Sequence, residues 1–179
     1  MNSVNKIINA LERFGVSATE HGQTTLLSHL KGTYEILTKW NCDQKVCIAG
    51  LCHSIYGTES FLKTPATLDN RKYVQDLIGD RSERLAYLFG AHQKESLWKN
   101  LDRDKNFNIV DRFLDNEITL SNQELSDLIT ITLANWLEQR PRSKTEHHFI
   151  RQEEFTRSKV HLSKSAFEDF CAAYGLKDS

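Results

Sequence analysis

Apolar residues recur at intervals of three and four along most of the chain, which is the spacing of one face of an α-helix. The first such stripe, between charged neighbours, is formed by Val4, Ile7, Ile8 and Leu11. The same pattern predicts helices at residues 24–40, 43–54, 69–78, from Asp80 onward, at 122–139 and at 163–175. Only two prolines and eight glycines interrupt the chain, so the pattern favours an all-α fold.

Local signals mark several helix ends. Gly79 is placed to close the helix before it. Asp80, with Glu83 three residues later, has the spacing of a capping box at the start of the next helix. The residues SNQE and the later Pro141 set the limits of helix 122–139.

Two regions depart from the helical period. FNIVDRFLDNEITLS predicts a short two-stranded ribbon around residues 107–120, with a turn as the alternative. Segment 139–164 is polar and rich in Lys and Arg, so we expect a solvated loop, with a cationic lid as the alternative. The histidines in this segment are His147, His148 and His161. No repeat or linker divides the chain, so residues 1–179 are predicted to form a single α-helical domain.

Segment 43–54 is apolar nearly all round, which is typical of a central helix buried by its neighbours. Cys42, Cys47 and Cys52 are spaced five residues apart, about 140° around a helix from one to the next, so they cannot converge on one metal ion. Together with Cys171 they are predicted to be reduced and mostly buried.

Composition and charge narrow the classes of function. The 179 residues are 39% hydrophobic and 26% charged, as in an ordinary folded protein. The 23 basic and 24 acidic side chains nearly cancel, so no overall field favours nucleic acid or an acidic membrane surface. The longest apolar run, VCIAGLC, is far shorter than the ~20 residues that cross a bilayer, and the N-terminus lacks the pattern of a signal peptide. We therefore expect a cytoplasmic protein without nucleic-acid or membrane partners.

Three polar side chains fall on faces that are otherwise apolar. His29 lies at the edge of the apolar arc of helix 24–40, and His53 shares a face with apolar residues at the C-terminal end of helix 43–54. Asn135 lies on the apolar stripe of the late helix, so its amide needs partners inside the fold. Inward polar groups on three helices indicate a polar pocket.

The stretch SHLKGTYEILTKWNCDQKVCIAGLCHSIYGT resembles the front half of the HD superfamily of metal-dependent helical enzymes. In that superfamily a histidine on one helix precedes a His-Asp pair at the end of the next helix, and a later helix supplies a second Asp. AGLCHSIYGTESF, together with R…V…LIGDRSERLAYLF, is also similar to an uncharacterised family of small bacterial HD-like domains that carry HSIYGT at this point. The resemblance covers residues 20–90 well and the rest weakly, and it implies an HD-like helical fold.

Carried over to this chain, the resemblance implies that His29 is the first histidine and His53 the histidine of the His-Asp pair. Ser54 stands where the first Asp is expected, and Asn135 stands in place of the late Asp. Both exchanges remove anionic oxygen donors, and neutral donors bind hard divalent cations less tightly. The pattern therefore disfavours a two-metal phosphohydrolase.

A single divalent metal, iron, zinc or manganese, is compatible with these residues. Two histidines and one further donor leave open positions for water or substrate, as in catalytic zinc and non-haem iron sites. The predicted metal ligands are His29 and His53 with His21 and Glu83 as extra donors, although Glu83 has an alternative role as a capping residue. His92 is a further candidate.

The loop after the HSIYGT histidine supplies other candidates for catalysis or substrate binding. Tyr56, Thr58 and Glu59 lie there, and loops on a rigid scaffold often hold substrate-contacting groups. Arg71 and Arg112 are suited to binding a carboxylate or phosphate, with surface ion pairing as the alternative. The predicted catalytic residues are His53, Tyr56, Thr58, Glu59, Arg71 and Asn135.

Three functions fit this pattern. The first is an enzyme that converts a small polar or anionic molecule, with His29 and His53 holding a metal or acting as acid and base; hydrolysis, elimination and oxygenation all stay open. The second is a ligand-binding or regulatory domain that has lost catalysis, because both Asp residues are replaced. The third is a helical interaction module whose buried histidines only stabilise the core. No nucleotide-cofactor motif occurs, and the sequence leaves the oligomeric state open, with a homodimer as one alternative.

Overall fold

The computed structural model describes residues 3–21, 24–62, 64–144, 147 and 149–177, and most of them are helical. The α-helices are α1 Ser3–Arg13, α2 Leu26–Lys39, α3 Gln44–Cys52, α4 Arg71–Ile78, α5 Asp80–Ala91, α6 Lys94–Trp98, α7 Asn122–Gln139, α8 Gln152–Arg157 and α9 Lys164–Tyr174. Shorter 3-10 turns cover Leu68–Asn70, Lys99–Asp102, Arg140–Arg142 and Ser158–His161. The strands are β1 Glu20–His21, β2 Thr24–Thr25, β3 Phe107–Asp111 and β4 Asn116–Leu120. The predominantly helical fold predicted from the sequence is confirmed.

Strands β3 and β4 form the antiparallel ribbon predicted for residues 107–120. Phe107 pairs with Leu120, and Asp111 pairs with Asn116. The side chains of β3 alternate between buried and half-buried, as expected for a strand with one face against the core. A second ribbon, β1 with β2, precedes α2. The hydrophobic pattern does not predict it, because strands of two residues carry no alternation.

Signals at the helix ends explain which boundaries the sequence predicts correctly. Helix α7 begins directly after Ser121, whose hydroxyl accepts the backbone N–H of Glu124 while the Glu124 carboxylate accepts that of Ser121 at 2.8 Å. Gly79 ends α4 with a φ of 84°. The capping box predicted from Asp80 is wrong, because Gly79 is the N-cap of α5 and the Glu83 side chain is buried in the core instead.

Helix α3 lies at the centre of the core, as its apolar composition predicts. Every residue from 46 to 52 is buried. The helix packs against α2, α5 and α7, and α7 in turn packs against α2 and α5. Because His53 caps the C-terminal end of α3, this packing carries its imidazole into the space between three other helices.

Segment 139–164 contains helix as well as loop, which corrects the expectation of a solvated loop. Helix α8 and two 3-10 turns lie within it. Phe155 of α8 is buried and packs against Trp98 and Phe170, with ring centroids 5.4 and 5.9 Å apart respectively. A helix of six residues with one large buried side chain has no stripe that a hydrophobic pattern reveals.

None of the four cysteines forms a disulfide bond, and three of them are buried, as the sequence predicts. Burial raises the pKa of the Cys52 thiol to about 12, so this residue is a neutral thiol at physiological pH. Among the described residues, no helix has both the length and the hydropathy that crossing a bilayer requires.

Candidate functional site

The two histidines singled out in the sequence meet inside the core. His29 comes from α2 and His53 from the end of α3, and both are fully buried. Their Nε2 atoms are 3.1 Å apart, and the two rings meet edge to face with centroids 5.0 Å apart. Phe89 of α5 packs against the His53 ring with a centroid distance of 4.7 Å. The pair is therefore held in a space that bulk water does not reach.

Each imidazole is oriented through its Nδ1 atom. Nδ1–H of His53 donates to the carbonyl oxygen of Gly50 at 2.6 Å, and Nδ1–H of His29 donates to the Glu138 carboxylate. Carbonyl and carboxylate oxygens only accept, so the proton of each neutral ring is on Nδ1. The two Nε2 atoms then face each other at 3.1 Å, both with lone pairs when the rings are neutral, or with one proton between them when the pair carries a charge.

One face of α7 and the turn after it complete the site. Asn135 is followed three, four and seven positions later by Glu138, Gln139 and Arg142. At this spacing the four side chains share one side of the helix. Asn135 Oδ1 lies 3.0 Å from Nε2 of His53, and the Gln139 amide donates to the same oxygen at 2.8 Å. Two imidazole nitrogens and one amide oxygen thus converge, and Gln139 fixes the orientation of the amide.

Glu138 is ionised although its side chain is only 10% exposed. Burial by itself raises the pKa of this carboxyl group, but hydrogen bonds from His29 and Arg142 outweigh burial, and the pKa of Glu138 lies below its ordinary value. The carboxylate approaches the Nδ1 side of His29, away from His53. This placement accounts for a further fact: within the described part of the chain, no three His, Cys, Asp or Glu side chains are grouped as a metal site requires.

A cavity of about 670 Å³ opens beside these residues. Asn135 and Ser54 line it, together with Thr58 and Glu59 from the loop that follows α3. Ser54 is almost fully buried, and its position next to His53 puts it at the inner end of this loop. Aromatic side chains from several elements form part of the cavity wall, and polar side chains form much of the rest. Neither His29 nor His53 lines the cavity, but Phe89 and Asn135, which contact His53, do.

The structure does not bring Tyr56, Arg71 and Glu83 to this site, because they form a separate buried cluster. Oε1 of Glu83 accepts Nε–H of Arg71 at 2.7 Å and the Tyr56 hydroxyl at 2.9 Å. Oε2 accepts the other arm of Arg71 at 3.0 Å and the amide of Gln75 at 3.2 Å. The two carboxylate oxygens together accept four hydrogen bonds. Glu83 therefore belongs to a structural ion pair and is not placed as a metal ligand.

The same cluster continues to Tyr87 and Asp111. The Arg71 guanidinium lies 3.7 Å from the centroid of the Tyr87 ring, and the Tyr87 hydroxyl donates to Asp111 at 2.5 Å. Burial and this hydrogen bond raise the pKa of Tyr87 to about 12, and burial near Glu83 also raises the pKa of Tyr56. Both phenols stay protonated at neutral pH and act as hydrogen-bond donors that stiffen the core.

The HSIYGT loop is fastened to α5 by contacts with the backbone. Gly57 adopts a φ of 70°, which turns the chain after the histidine. Arg112 donates to the carbonyl oxygen of Gly90 at 2.7 Å and to that of Tyr56 at 3.4 Å. Arg112 is therefore neither a substrate clamp nor half of a surface ion pair, since its guanidinium joins the loop to the helix.

The other histidine candidates divide into three cases. The side chain of His21 and the whole of His148 lie outside the described residues. His92 lines the cavity, donates from Nδ1 to the Leu88 carbonyl at 3.1 Å, and has a pKa lowered by burial, so its ring is neutral at pH 7. His161 does not line the cavity.

Sequence reasoning missed Glu138, Gln139 and Arg142. Their spacing from Asn135 was a usable signal, because residues three, four and seven positions later lie on the same helical face. Charged and amide side chains on either side of a helix-ending proline are usually solvated, so composition does not single them out. The contact between His29 and Glu138 depends on α2 and α7 being neighbours, which periodicity does not reveal.

Comparison with known proteins shows similarity to one family over part of the chain, and it gives no activity. Residues 10–94, a little under half of the chain, match the model of a family described as a domain of unknown function (DUF6817). The match includes His29, His53 and the HSIYGT loop, and it ends before the helix that carries Asn135 and Glu138. Curated proteins and solved structures give no significant match. The chain is thus similar to this family over the part that supplies both histidines.

Proposed function

We propose that this protein is an enzyme that converts a small molecule with the help of one divalent metal, held by His29 and His53 on an HD-like helical scaffold. The orientation of the two imidazoles carries the proposal. When both rings are neutral and protonated on Nδ1, each Nε2 has a lone pair, and these two atoms are 3.1 Å apart. Facing lone pairs repel each other, and a cation between them replaces that repulsion with attraction.

The distances support a shared metal. Two imidazole nitrogens that bind one metal at about 2.0–2.1 Å lie about 2.9–3.4 Å apart when the angle at the metal is about 90–110°. The Nε2 atoms of His29 and His53 are 3.1 Å apart, and Asn135 Oδ1 is 3.0 Å from the second of them. Two imidazoles and one amide oxygen fit iron, zinc or manganese better than magnesium or calcium, which prefer sets of oxygen ligands.

Outer contacts hold these donors in position. Metal-binding histidines in general donate their other ring N–H to a carboxylate or carbonyl oxygen, which fixes the ring and makes it a stronger donor. Glu138 does this for His29, and the Gly50 carbonyl does it for His53. A bound metal supplies Lewis-acid chemistry at such a site. The protein contributes the aligned donors in a buried setting, and the substrate would approach from the cavity side, where Asn135 and Ser54 line the cavity.

The order of elements supports the HD-like part of the proposal. The first histidine comes from α2, the second from the end of the next helix, and Asn135 from a later helix, which is the order of the HD pattern. Ser54 takes the place of the paired Asp and lines the cavity, where its hydroxyl is suited to contact a substrate. With Ser54 and Asn135 replacing acids, the site is suited to one metal rather than two.

Metal analysis of the purified protein tests the proposal. The chain is produced without a His-tag, purified without chelators, and examined by plasma mass spectrometry after incubation with iron(II), manganese(II) or zinc(II). We expect one metal ion per chain, and we expect His29→Gln and His53→Gln to lose it. His161→Gln removes an imidazole outside the cavity and serves as the control that keeps the metal. Near-zero metal in wild-type protein that circular dichroism shows to be folded would refute the proposal.

A ligand-binding domain without catalysis is the second candidate. It is favoured by the neutral residues at the two Asp positions and by the lack of a group of three acidic, His or Cys donors among the described side chains. In that case a shared proton between His29 and His53, balanced by Glu138, replaces the metal. Thermal-shift screening with metabolites separates the two candidates. Ligand binding without conversion supports this candidate, and metal-dependent conversion supports the enzyme.

A further inference from the structure

Aromatic side chains form most of the apolar part of the wall of the cavity beside Asn135, and polar and charged side chains form the rest of the wall. Its aromatic residues are Phe61, Phe89, Trp98, Trp136 and Phe155. Its volume of about 670 Å³ is within the range of sites that enclose a small molecule, roughly 300–1,000 Å³. Aromatic rings present flat apolar faces and make offset or edge contacts with other rings. The wall therefore favours a ligand whose body is flat and apolar.

The charged groups that line the same cavity are three cations, Lys94, Arg142 and Arg151, and one acid, Glu59. Both arginines are bound to acidic side chains of neighbouring segments. The Lys94 ammonium contacts the hydroxyl of Ser60 and has no carboxylate within ion-pairing distance among the described residues. One oxygen of Glu59 accepts the backbone N–H of Lys94 at 3.0 Å. Among the described residues, Lys94 is therefore the lining cation that is not ion-paired and is available to an acidic group of a ligand, while the Glu59 carboxylate is turned toward the backbone N–H of Lys94.

We propose that this cavity binds an aromatic organic acid, with its ring system among the aromatic side chains and its acidic group at Lys94. The inference rests on the proposed function in taking the cavity as the place where substrate meets the metal-binding residues. It narrows the substrate from a polar or anionic molecule to one with a flat apolar body and an acidic end. A mainly polar substrate would leave most of the aromatic wall without an apolar partner.

Matched probes test the ring and the charge separately. Naphthaleneacetate is compared with naphthaleneacetamide, and indoleacetate with indoleacetamide, so that each pair shares a ring and differs in charge. Calorimetric titration of the full chain is expected to show tighter binding of the acid in both pairs. Equal or tighter binding of the amides, or no binding of any probe at millimolar concentration, would overturn the proposal.

Three variants locate the binding. Lys94→Gln is expected to weaken binding of the acids by roughly two- to fivefold, as for an exposed ion pair, and to leave the amides unchanged. Lys99→Gln removes a nearby exposed lysine that does not line the cavity, and we expect no effect. Thr132→Trp fills the cavity from α7 and is expected to abolish binding of all probes. Equal effects of the two lysine variants, or probe binding by folded Thr132→Trp, would contradict the proposed location.

Repeating the titrations in EDTA and with His53→Gln keeps the two proposals apart. Neither the aromatic wall nor Lys94 needs a metal, so the preference for acids is expected to persist in both conditions. Probe binding by a protein that never takes up metal refutes the metal-dependent function and leaves the ligand class standing. Metal uptake by a protein that binds none of the probes refutes the ligand class and leaves the metal-dependent function standing.

Discussion

At the scale of single residues, two buried carboxylates have different roles. Glu83 accepts four hydrogen bonds, two of them from Arg71, so its charge is fully matched within its own cluster. Glu138 accepts one contact from Arg142 and one from His29, so its charge is directed at the histidine pair. Burial alone does not distinguish these roles, whereas the identity of the donor does.

Glu138→Gln tests the role of this carboxylate as a support for His29. The Gln amide keeps the shape of the side chain and an acceptor oxygen. It loses the negative charge that makes the His29 imidazole a stronger electron-pair donor to a metal. We expect metal affinity to fall by about 10–100-fold, measured by competition with a chromophoric chelator. Glu153→Gln changes an exposed acid on α8 and is expected to leave the affinity unchanged. An affinity for metal that Glu138→Gln does not alter would show that the carboxylate is not a supporting residue.

Glu83→Gln tests the separation of the second cluster from the site. The change leaves the Arg71 guanidinium without its counter-charge and weakens the acceptor of the Tyr56 hydroxyl. We expect a loss of about 3 kcal/mol in the free energy of unfolding, at the low end for buried pairs because Arg71 is a third exposed. Urea denaturation measures the loss. Metal content is expected to stay the same. Loss of metal from the folded variant would show that Glu83 contributes to the metal site.

At the scale of helices and strands, local signals decided what the sequence predicted. Helix α7 was predicted with its observed ends because Ser121 and Pro141 act within a few residues of them. Helix α8 is not predicted by the sequence. It is stabilised by the burial of Phe155 against Trp98 and Phe170, which lie outside this helix in the chain. The same distinction holds for the site: inward directions of side chains were predictable, whereas partners across helices were not.

The contact between α5 and the HSIYGT loop makes a prediction of its own. A Cβ atom at Gly90 would lie 2.8 Å from the backbone oxygen of Gly57, which cannot rotate away as a side chain does. Helix propensity alone makes Gly→Ala stabilising by roughly 1 kcal/mol. We expect the opposite sign for Gly90→Ala, a loss of about 1–3 kcal/mol from overpacking, measured by urea denaturation. A more stable variant would show that the loop is not held closely against the helix.

At the scale of the whole molecule, the site joins two parts of the chain that sequence comparison treats differently. His29 and His53 lie within the stretch that matches the family model, and Asn135 and Glu138 lie beyond it. The hydrophobic pattern predicts the helices of both parts, whereas the polar residues His29, His53 and Asn135, rather than that pattern, indicate that α7 meets α2 and α3, as it does in the structure. The proposed metal site therefore requires the fold of the full chain.

Stability of the whole molecule is expected to fall with acidification in two separate ranges of pH. Burial lowers the pKa of His92 and His161 below the ordinary value of 6.5. As the pH falls through 6.5, the unfolded chain takes up protons that the folded protein does not yet bind, so the free energy of unfolding decreases. The second range lies lower. Glu138 and Asp169 have lowered pKa values despite burial, so the stability they add is lost only as the pH falls below their unfolded values.

The variant His92→Gln/His161→Gln isolates the first of these two ranges. Each imidazole that takes up a proton only on unfolding adds a slope of about 1.4 kcal/mol per pH unit to the free energy of unfolding. Urea denaturation between pH 7 and pH 5 is expected to show a smaller slope for the double variant than for the wild type, by up to about twice that amount. The two slopes are expected to converge only below the pKa values of these imidazoles in the folded protein, where the folded and unfolded chains bind the same protons at both positions. Equal slopes between pH 7 and pH 5 would mean that both imidazoles take up protons in the folded protein as easily as in the unfolded chain, which contradicts their burial.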